Sequence, residues 1–302
     1  MAFSHLYSSI TRGKWLILPS EIDANQMLIN SFLEHNADHE DGKLSDREPI
    51  PAFATDGKEM KSGSNFSDAP ADSTAIIQLH GSMLKYGNYC SYGCAEVADM
   101  IVDAANSPKI SGILLDIDSG GGSVDAIAPL VNAIKYSQSK GKPVVANCDL
   151  CASAAYYVAC HCNEIIADNT ISSEFGSIGV MMSFVDYAKY YETAGIKQHT
   201  VYSNLSDYKN ASFEAAKKGE YEQIKSEELD PLAKRFQEAV KCTRGDKLDL
   251  KIEGIIAGRM FYAEQAQKNG LIDSIGNRDF AIQRVREIRS DALVNDYINS
   301  KS

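Results

Sequence analysis

From about residue 74 onward, short runs of apolar residues alternate with stretches whose apolar positions recur at helical spacing. Ala75-Ile76-Ile77-Gln78-Leu79-His80-Gly81 reads as a strand ended by glycine, and the helical pattern over residues 94–105 leads into a strand at 112–117. A glycine turn, a second helix at 124–137, a strand at 143–148, a helix at 153–160 and a short strand at 164–167 continue the series. Strands alternating with helices of ten or more residues imply right-handed crossovers, so an α/β fold with a mainly parallel sheet is expected. Sites in such sheets form at the carboxyl ends of strands. The glycine turn after Ile117 and the serine turn after Cys148 both fall there, and one cleft would hold both.

Upstream, the pattern is weaker. Lys14-Trp15-Leu16-Ile17-Leu18-Pro19 is a short apolar run, and residues 20–33 read as an amphipathic helix with Ser20 as its N-cap. Residues 35–72 are rich in Asp, Glu, Ser, Gly and Pro and poor in large apolar side chains, as in a mobile linker that offers a place for processing. The organisation expected is an N-terminal element (1–34), an acidic linker (35–73), one α/β domain (74–290) and a C-terminal tail (291–302).

Chemistry enters at three places. In Leu150-Cys151-Ala152-Ser153-Ala154-Ala155-Tyr156-Tyr157 a serine among tiny neighbours sits at a strand-to-helix turn, where a carbonyl can approach and a developing negative charge is favoured. Leu114-Leu115-Asp116-Ile117-Asp118-Ser119-Gly120-Gly121-Gly122 runs a buried strand into a turn whose backbone N–H groups are placed to hold an oxyanion. Ser206-Asp207-Tyr208-Lys209-Asn210 offers a lysine in a polar loop, a base for the serine when its amine is neutral. Taken singly each is weak: the glycines also suit a tight turn and lack the Gly-Lys-Ser/Thr of a Walker loop, a lone serine also suits helix packing, and Lys217 and Lys218 lie near Lys209.

Together these blocks resemble the serine–lysine peptidases of the signal peptide peptidase A (protease IV) type, closest to their soluble bacteriophage capsid-maturation branch. The family's Ser-Pro-Gly-Gly turn is similar to Ser119-Gly120-Gly121-Gly122, its nucleophile block to Ala152-Ser153-Ala154-Ala155-Tyr156-Tyr157, and its Gly-Ser-Leu-Gly-Val block to Gly176-Ser177-Ile178-Gly179-Val180. A fourth block, Gly258-Arg259-Met260-Phe261-Tyr262-Ala263-Glu264-Gln265-Ala266 with Gly270-Leu271-Ile272-Asp273, resembles the stretch where a helix ends and a last strand begins. The resemblance implies a Clp protease/crotonase-like fold, Ser153 as nucleophile, Lys209 as general base and Ser177 as the hydroxyl orienting the amine. It also implies an oxyanion and substrate site at Gly121, Gly122 and Ala154, no cofactor and no metal. Gly120 stands where the family has proline, and Ala154-Ala155 where it has Gly-Gly, so two added methyl groups are expected to narrow the cleft. Because the chain carries one copy of this unit, the resemblance implies a homo-oligomer in which serine and lysine come from neighbouring subunits.

Composition limits the partners. A net charge of −11 argues against non-specific nucleic-acid binding, which needs basic surface to displace counterions. No run of about 18 apolar residues is present, and the first ten residues lack a basic start followed by an apolar run. A cytoplasmic protein is therefore expected, in the host cytoplasm or a phage prohead, acting on a protein or peptide substrate such as a capsid or scaffold protein. Seven cysteines, Cys90, Cys94, Cys148, Cys151, Cys160, Cys162 and Cys242, are expected as reduced thiols. Cys148, Cys151, Cys160, His161 and Cys162 form the one zinc alternative, against which stands the need of that segment to build the strand and helix around Ser153. Of the histidines, none falls between 171 and 180, and His161 is eight residues along the helix from Ser153, which leaves His80 as a candidate partner. The remaining alternatives are a catalytically silent scaffold or assembly protein of the same fold and an acyl-CoA enzyme.

Overall fold

Neighbouring residues of a strand face opposite sides of its sheet, and here both sides are buried. Ile76, Leu114, Val145 and Ile166 pack with Ala281, Ile282 and Val285 on one side, whereas Ile77, Leu115, Ala146 and Ile165 belong to the larger core on the other. That is why these strands read as unbroken apolar runs rather than as alternation, as parallel strands covered on both faces do. The computed structural model describes residues 14–17, 51–53, 59–61, 66, 68–87, 92–184, 186, 188–197 and 199–301. The helix expected over 20–33, most of the expected linker, and Cys90, His5, His35 and His39 lie outside them.

The central strands are β4 (Ser73–His80), β5 (Ile110–Ser119), β7 (Val144–Ala152) and β8 (Glu164–Ala167). They pair in parallel with Ile76 opposite Leu114, Leu114 opposite Val145 and Val145 opposite Glu164. Helix α1 (Cys94–Asn106) crosses from β4 to β5, and α2 (Ile127–Ser139), entered through a 3₁₀ turn at Val124–Ala126, crosses from β5 to β7. The α/β, mainly parallel architecture agrees with the expectation. Helix α8 (Arg278–Asn299) covers the second face and runs across the boundary expected at 290. Its contact is close, since a Cβ on Gly112 of β5 would lie 2.4 Å from Val285 Cγ1.

The edges depart from the sequence reading. Two short strands, β2 (Pro51–Phe53) and β3 (Glu59–Lys61), lie within the stretch expected to be a linker and extend the sheet antiparallel beyond β4. The strand expected to stop at Cys148 continues to Ala152 and divides its pairing. Its first half runs beside β8, and Leu150–Ala152 run beside β9 (Glu174–Gly176). A register shift between Ile117 and Ser119 marks the same departure on β5. The end of β7 thereby exchanges β8 for β9 as its neighbour within the same sheet, with Ser153 following at its tip. A separate three-stranded antiparallel sheet forms over that tip from β10 (Met181–Met182), β1 (Lys14–Ile17) and β6 (Gly121–Ser123), in that order.

Candidate active site

Ser153 joins β7 to α3 (Ala154–Ala159) with φ 52° and ψ −114°, a conformation that costs a residue with a side chain about 1–3 kcal/mol. Its surroundings hold it there. The Ser153 N–H donates to the Gly176 carbonyl at 2.9 Å, and its own carbonyl accepts from Tyr157 N–H at 2.9 Å to start the helix. Among the described residues the hydroxyl has only a long contact, 3.5 Å, to the Gly179 carbonyl. The side chain is 1% exposed. Ala154 and Ala155 belong to the main core, so their methyl groups are taken up by packing instead of standing free in a cleft.

The other blocks converge on this turn. A Cβ placed on Gly121, where φ is +101°, would lie 3.0 Å from the Ala152 carbonyl oxygen and 3.0 Å from Ala154 N, so only glycine lets the two turns meet. Gly81 to Met83 fix the glycine loop. Ser119 Oγ donates to the Gly81 carbonyl at 2.6 Å, and the Met83 N–H donates to the Gly121 carbonyl at 2.8 Å. Gly176, with φ +129°, lies against the Arg259 carbonyl, which also accepts from Ser177 N–H at 3.1 Å. Ser177 itself has φ 52° and is half-buried. The fourth block follows the order strand, helix, strand: β11 (Met260–Tyr262) pairs with β9, α7 (Ala263–Lys268) comes next, and β12 (Ser274–Ile275) pairs with β8. Gly121, Gly122, Ala152, Ser153, Ala154 and the 176–180 block are thus brought together.

Two expectations change. The Gly121 N–H donates to Ser119 Oγ at 3.1 Å, so it is not free to hold an oxyanion; Gly122 is paired opposite Leu16 of β1, and the Ala154 amide stands at the first turn of α3. Lys209 is exposed, on the turn before α5 (Ala211–Lys217), and no side-chain hydrogen bond or ion pair joins its amine to another described residue. Around it, Val201, Leu205 and Tyr208 are 91%, 96% and 89% exposed, a concentration of apolar surface the sequence reading did not single out.

The alternatives find other places. His80 Nε2 lies 3.4 Å from Asp116 Oδ2, which also accepts from Arg278 at 2.7 Å. The hydrogen bond to Asp116 raises the His80 pKa; burial pushes Asp116 upward, but His80 and Arg278 outweigh it and hold the carboxyl below its usual range. No described hydroxyl shares this pair. His161 Nδ1 contacts the Tyr157 carbonyl at 2.8 Å and its ring stacks on Tyr157. Among the described residues no three His, Cys, Asp or Glu side chains are grouped to hold a metal ion. Burial pushes the Cys94 and Cys160 thiols up to about 12, which suits inert packing; Cys148 and Cys151 are buried too, whereas Cys242 is exposed. No helix among the described residues is long and apolar enough to cross a membrane.

A salt-bridged corner locks the fourth block to the sheet. Arg244, the last residue of α6 (Asp230–Arg244), makes a two-pronged pair with Asp273 at 2.9 and 3.1 Å and donates through Nε to the Gly270 carbonyl at 2.9 Å. Asp273 also accepts from Ile165 N–H at 2.8 Å, and Tyr156 of α3 donates to the Leu271 carbonyl at 2.7 Å. The helix that follows Ser153 is therefore tied to the block that supports Ser177.

A serine at a positive-φ strand-to-helix junction, packed against a glycine turn, is an arrangement suited to a nucleophile. The sequence profile of peptidase family S49 matches residues 136–291, which include Ser153, Ser177 and Lys209, and the chain belongs to that family. It is 32% identical over 224 residues to the chloroplastic serine protease SPPA of Arabidopsis thaliana, an alignment covering 70% of this chain and 32% of that protein. With protease 4 of Salmonella typhi it shares 28% identity over 228 residues, 72% of this chain and 35% of that one. With the head-tail preconnector protein GP5 of Enterobacteria phage P21 it shares 31% over 214 residues, 70% of this chain and 41% of that one. The chain thus spans 32% to 41% of the length of these relatives.

Proposed function

We propose that the chain is a serine–lysine endopeptidase whose site is completed by a second copy. The observation that carries this reading is Ser153: a buried hydroxyl in a costly backbone conformation, weakly hydrogen-bonded, next to the Ala154 amide and the glycine turn. In the reaction, Ser153 Oγ attacks the carbonyl carbon of a peptide bond as the Lys209 amine takes the hydroxyl proton, with Ser177 orienting that amine. The Ala154 and Gly122 N–H groups stabilise the oxyanion. Collapse expels the amine fragment, which leaves with the proton held by Lys209, and water then hydrolyses the acyl-serine by the same steps.

Lys209 lies in one exposed stretch of chain with Val201, Leu205 and Tyr208. Covering that stretch with a neighbouring protomer both buries the apolar groups and desolvates the amine. As setting we infer maturation of a phage capsid, with scaffold or assembly proteins as substrates in a prohead or the host cytoplasm; kinship to a phage head-tail preconnector protein supports it.

Cleavage of an unstructured protein substrate by wild type, Ser153→Ala, Lys209→Ala and the double variant tests the reading. Each single change is expected to lower kcat by at least about 10³-fold, with the double variant little worse, because the residues act as one unit. No cleavage by wild type would favour a silent scaffold; near-normal turnover in Lys209→Ala alone would overturn the base assignment.

A further inference from the structure

The short strand β1 lies in the place where an extended peptide would meet Ser153. It is the middle strand of the small sheet, antiparallel to both neighbours: Trp15, Leu16 and Ile17 are opposite Ser123, Gly122 and Gly121, and Lys14 and Trp15 are opposite Met182 and Met181. Both neighbours belong to the site, since β6 is the glycine turn and β10 follows the 176–180 block. One point in space, where a Cβ on Gly121 would be, is 2.2 Å from the Leu16 carbonyl oxygen and 3.0 Å from Ala154 N. A main-chain carbonyl of β1 therefore stands beside the amide that follows the nucleophile. On its other edge β6 is already engaged: Met83 takes the Gly121 carbonyl and, through its own carbonyl, the Ser123 N–H, both at 2.8 Å. The groups of Gly122 alternate to the opposite edge, the one β1 covers. Leu16 and Ile17 are each 3% exposed, so the strand is seated and not draped.

Taking the peptidase reading as its base, we propose that residues 14–17 are an intramolecular occupant of the peptide groove, a self-strand that keeps the enzyme latent until it is displaced. The groove recognises its occupant by strand addition, in which main-chain pairing supplies affinity with little regard to sequence. An extended peptide substrate makes the same pairing between β6 and β10, so β1 and substrate exclude each other. Tethering favours β1, because an intramolecular competitor acts at an effective concentration of about millimolar order.

The test compares the full chain, verified intact by mass, with a variant lacking residues 1–18 and with Leu16→Pro, which removes a main-chain donor from the ladder. Turnover of an unstructured protein substrate is expected to rise at least about tenfold in both variants, matching competition by a millimolar tether against micromolar substrate. A second arm uses Ser153→Ala backgrounds and a labelled synthetic peptide of residues 11–20. The peptide is expected to bind the shortened chain saturably and the full chain not at all. Equal turnover by all forms, or no peptide binding to a shortened chain that circular dichroism shows folded, would overturn the occupancy. Peptide binding with no cleavage by any form would instead overturn the peptidase reading and leave β1 as the groove's occupant.

Discussion

Replacing Ser153 by glycine and by alanine separates the strain at the site from its chemistry. Both changes remove the hydroxyl and its 3.5 Å contact with Gly179, so the difference between them reports the backbone alone. At φ 52° and ψ −114° an alanine keeps a conformational cost of about 1–3 kcal/mol that a glycine does not have. Against this, glycine gives the unfolded chain about 0.4–1 kcal/mol more conformational entropy to lose. The net expectation is that Ser153→Gly is more stable than Ser153→Ala, by up to about 2.6 kcal/mol. At about 2–4 °C per kcal/mol for a large domain, Tm should be higher in the glycine variant by up to about 10 °C. The sign is diagnostic, since within ordinary elements alanine is the more stable of the two. Calorimetric unfolding of both variants at one scan rate, cross-checked by urea titration, measures it. An alanine variant equal to or more stable than the glycine variant would refute the claim that the turn holds Ser153 under strain.

Three further outcomes follow from named contacts. Asp273→Ala leaves the Arg244 guanidinium, 5% exposed, without its partner, and should cost about 3–5 kcal/mol in a urea titration at neutral pH. Burial pushes the Asp273 carboxyl up but Arg244 and Lys247 hold it below its ordinary value, so its stabilisation is present above pH ~4 and lost as pH falls through the depressed value. The acid limb of stability against pH should therefore flatten in the variant. His80 has the opposite sign: its raised pKa gives stability that is full below pH ~6.5 and is lost as pH rises through the folded value, so His80→Gln should flatten the profile on that side, read by Tm against pH.

How far the site could be read from the chain depends on how local its signals are. The buried runs at β4, β5 and β7 are visible because both faces of those strands are covered, and Ser153 is visible because small residues crowd one strand-to-helix turn. The division of β7 between β8 and β9 is not local; it arises from a register shift and from contacts with a segment more than twenty residues downstream. Strand β1 is a four-residue apolar run whose partners lie more than 100 positions away, and no periodicity reports such pairing. The same holds for the Gly121 amide, whose capture by Ser119 Oγ depends on the shape of the loop and not on its composition. Lys209 was legible as a residue and not as a surface, because the exposure of Val201, Leu205 and Tyr208 is a property of the folded chain.

The central claim is that Ser153 of one copy works with Lys209 of another, and mixing inactive protomers tests it most directly. Ser153→Ala and Lys209→Ala chains, each without activity alone, are co-refolded and assayed for cleavage of an unstructured protein beside each chain refolded singly. Interfaces that join an intact serine to an intact lysine should restore part of the wild-type turnover, and dilution below the assembly concentration should abolish it. A wild-type monomer, identified by size and fully active, with no recovery in the mixture, would contradict the account.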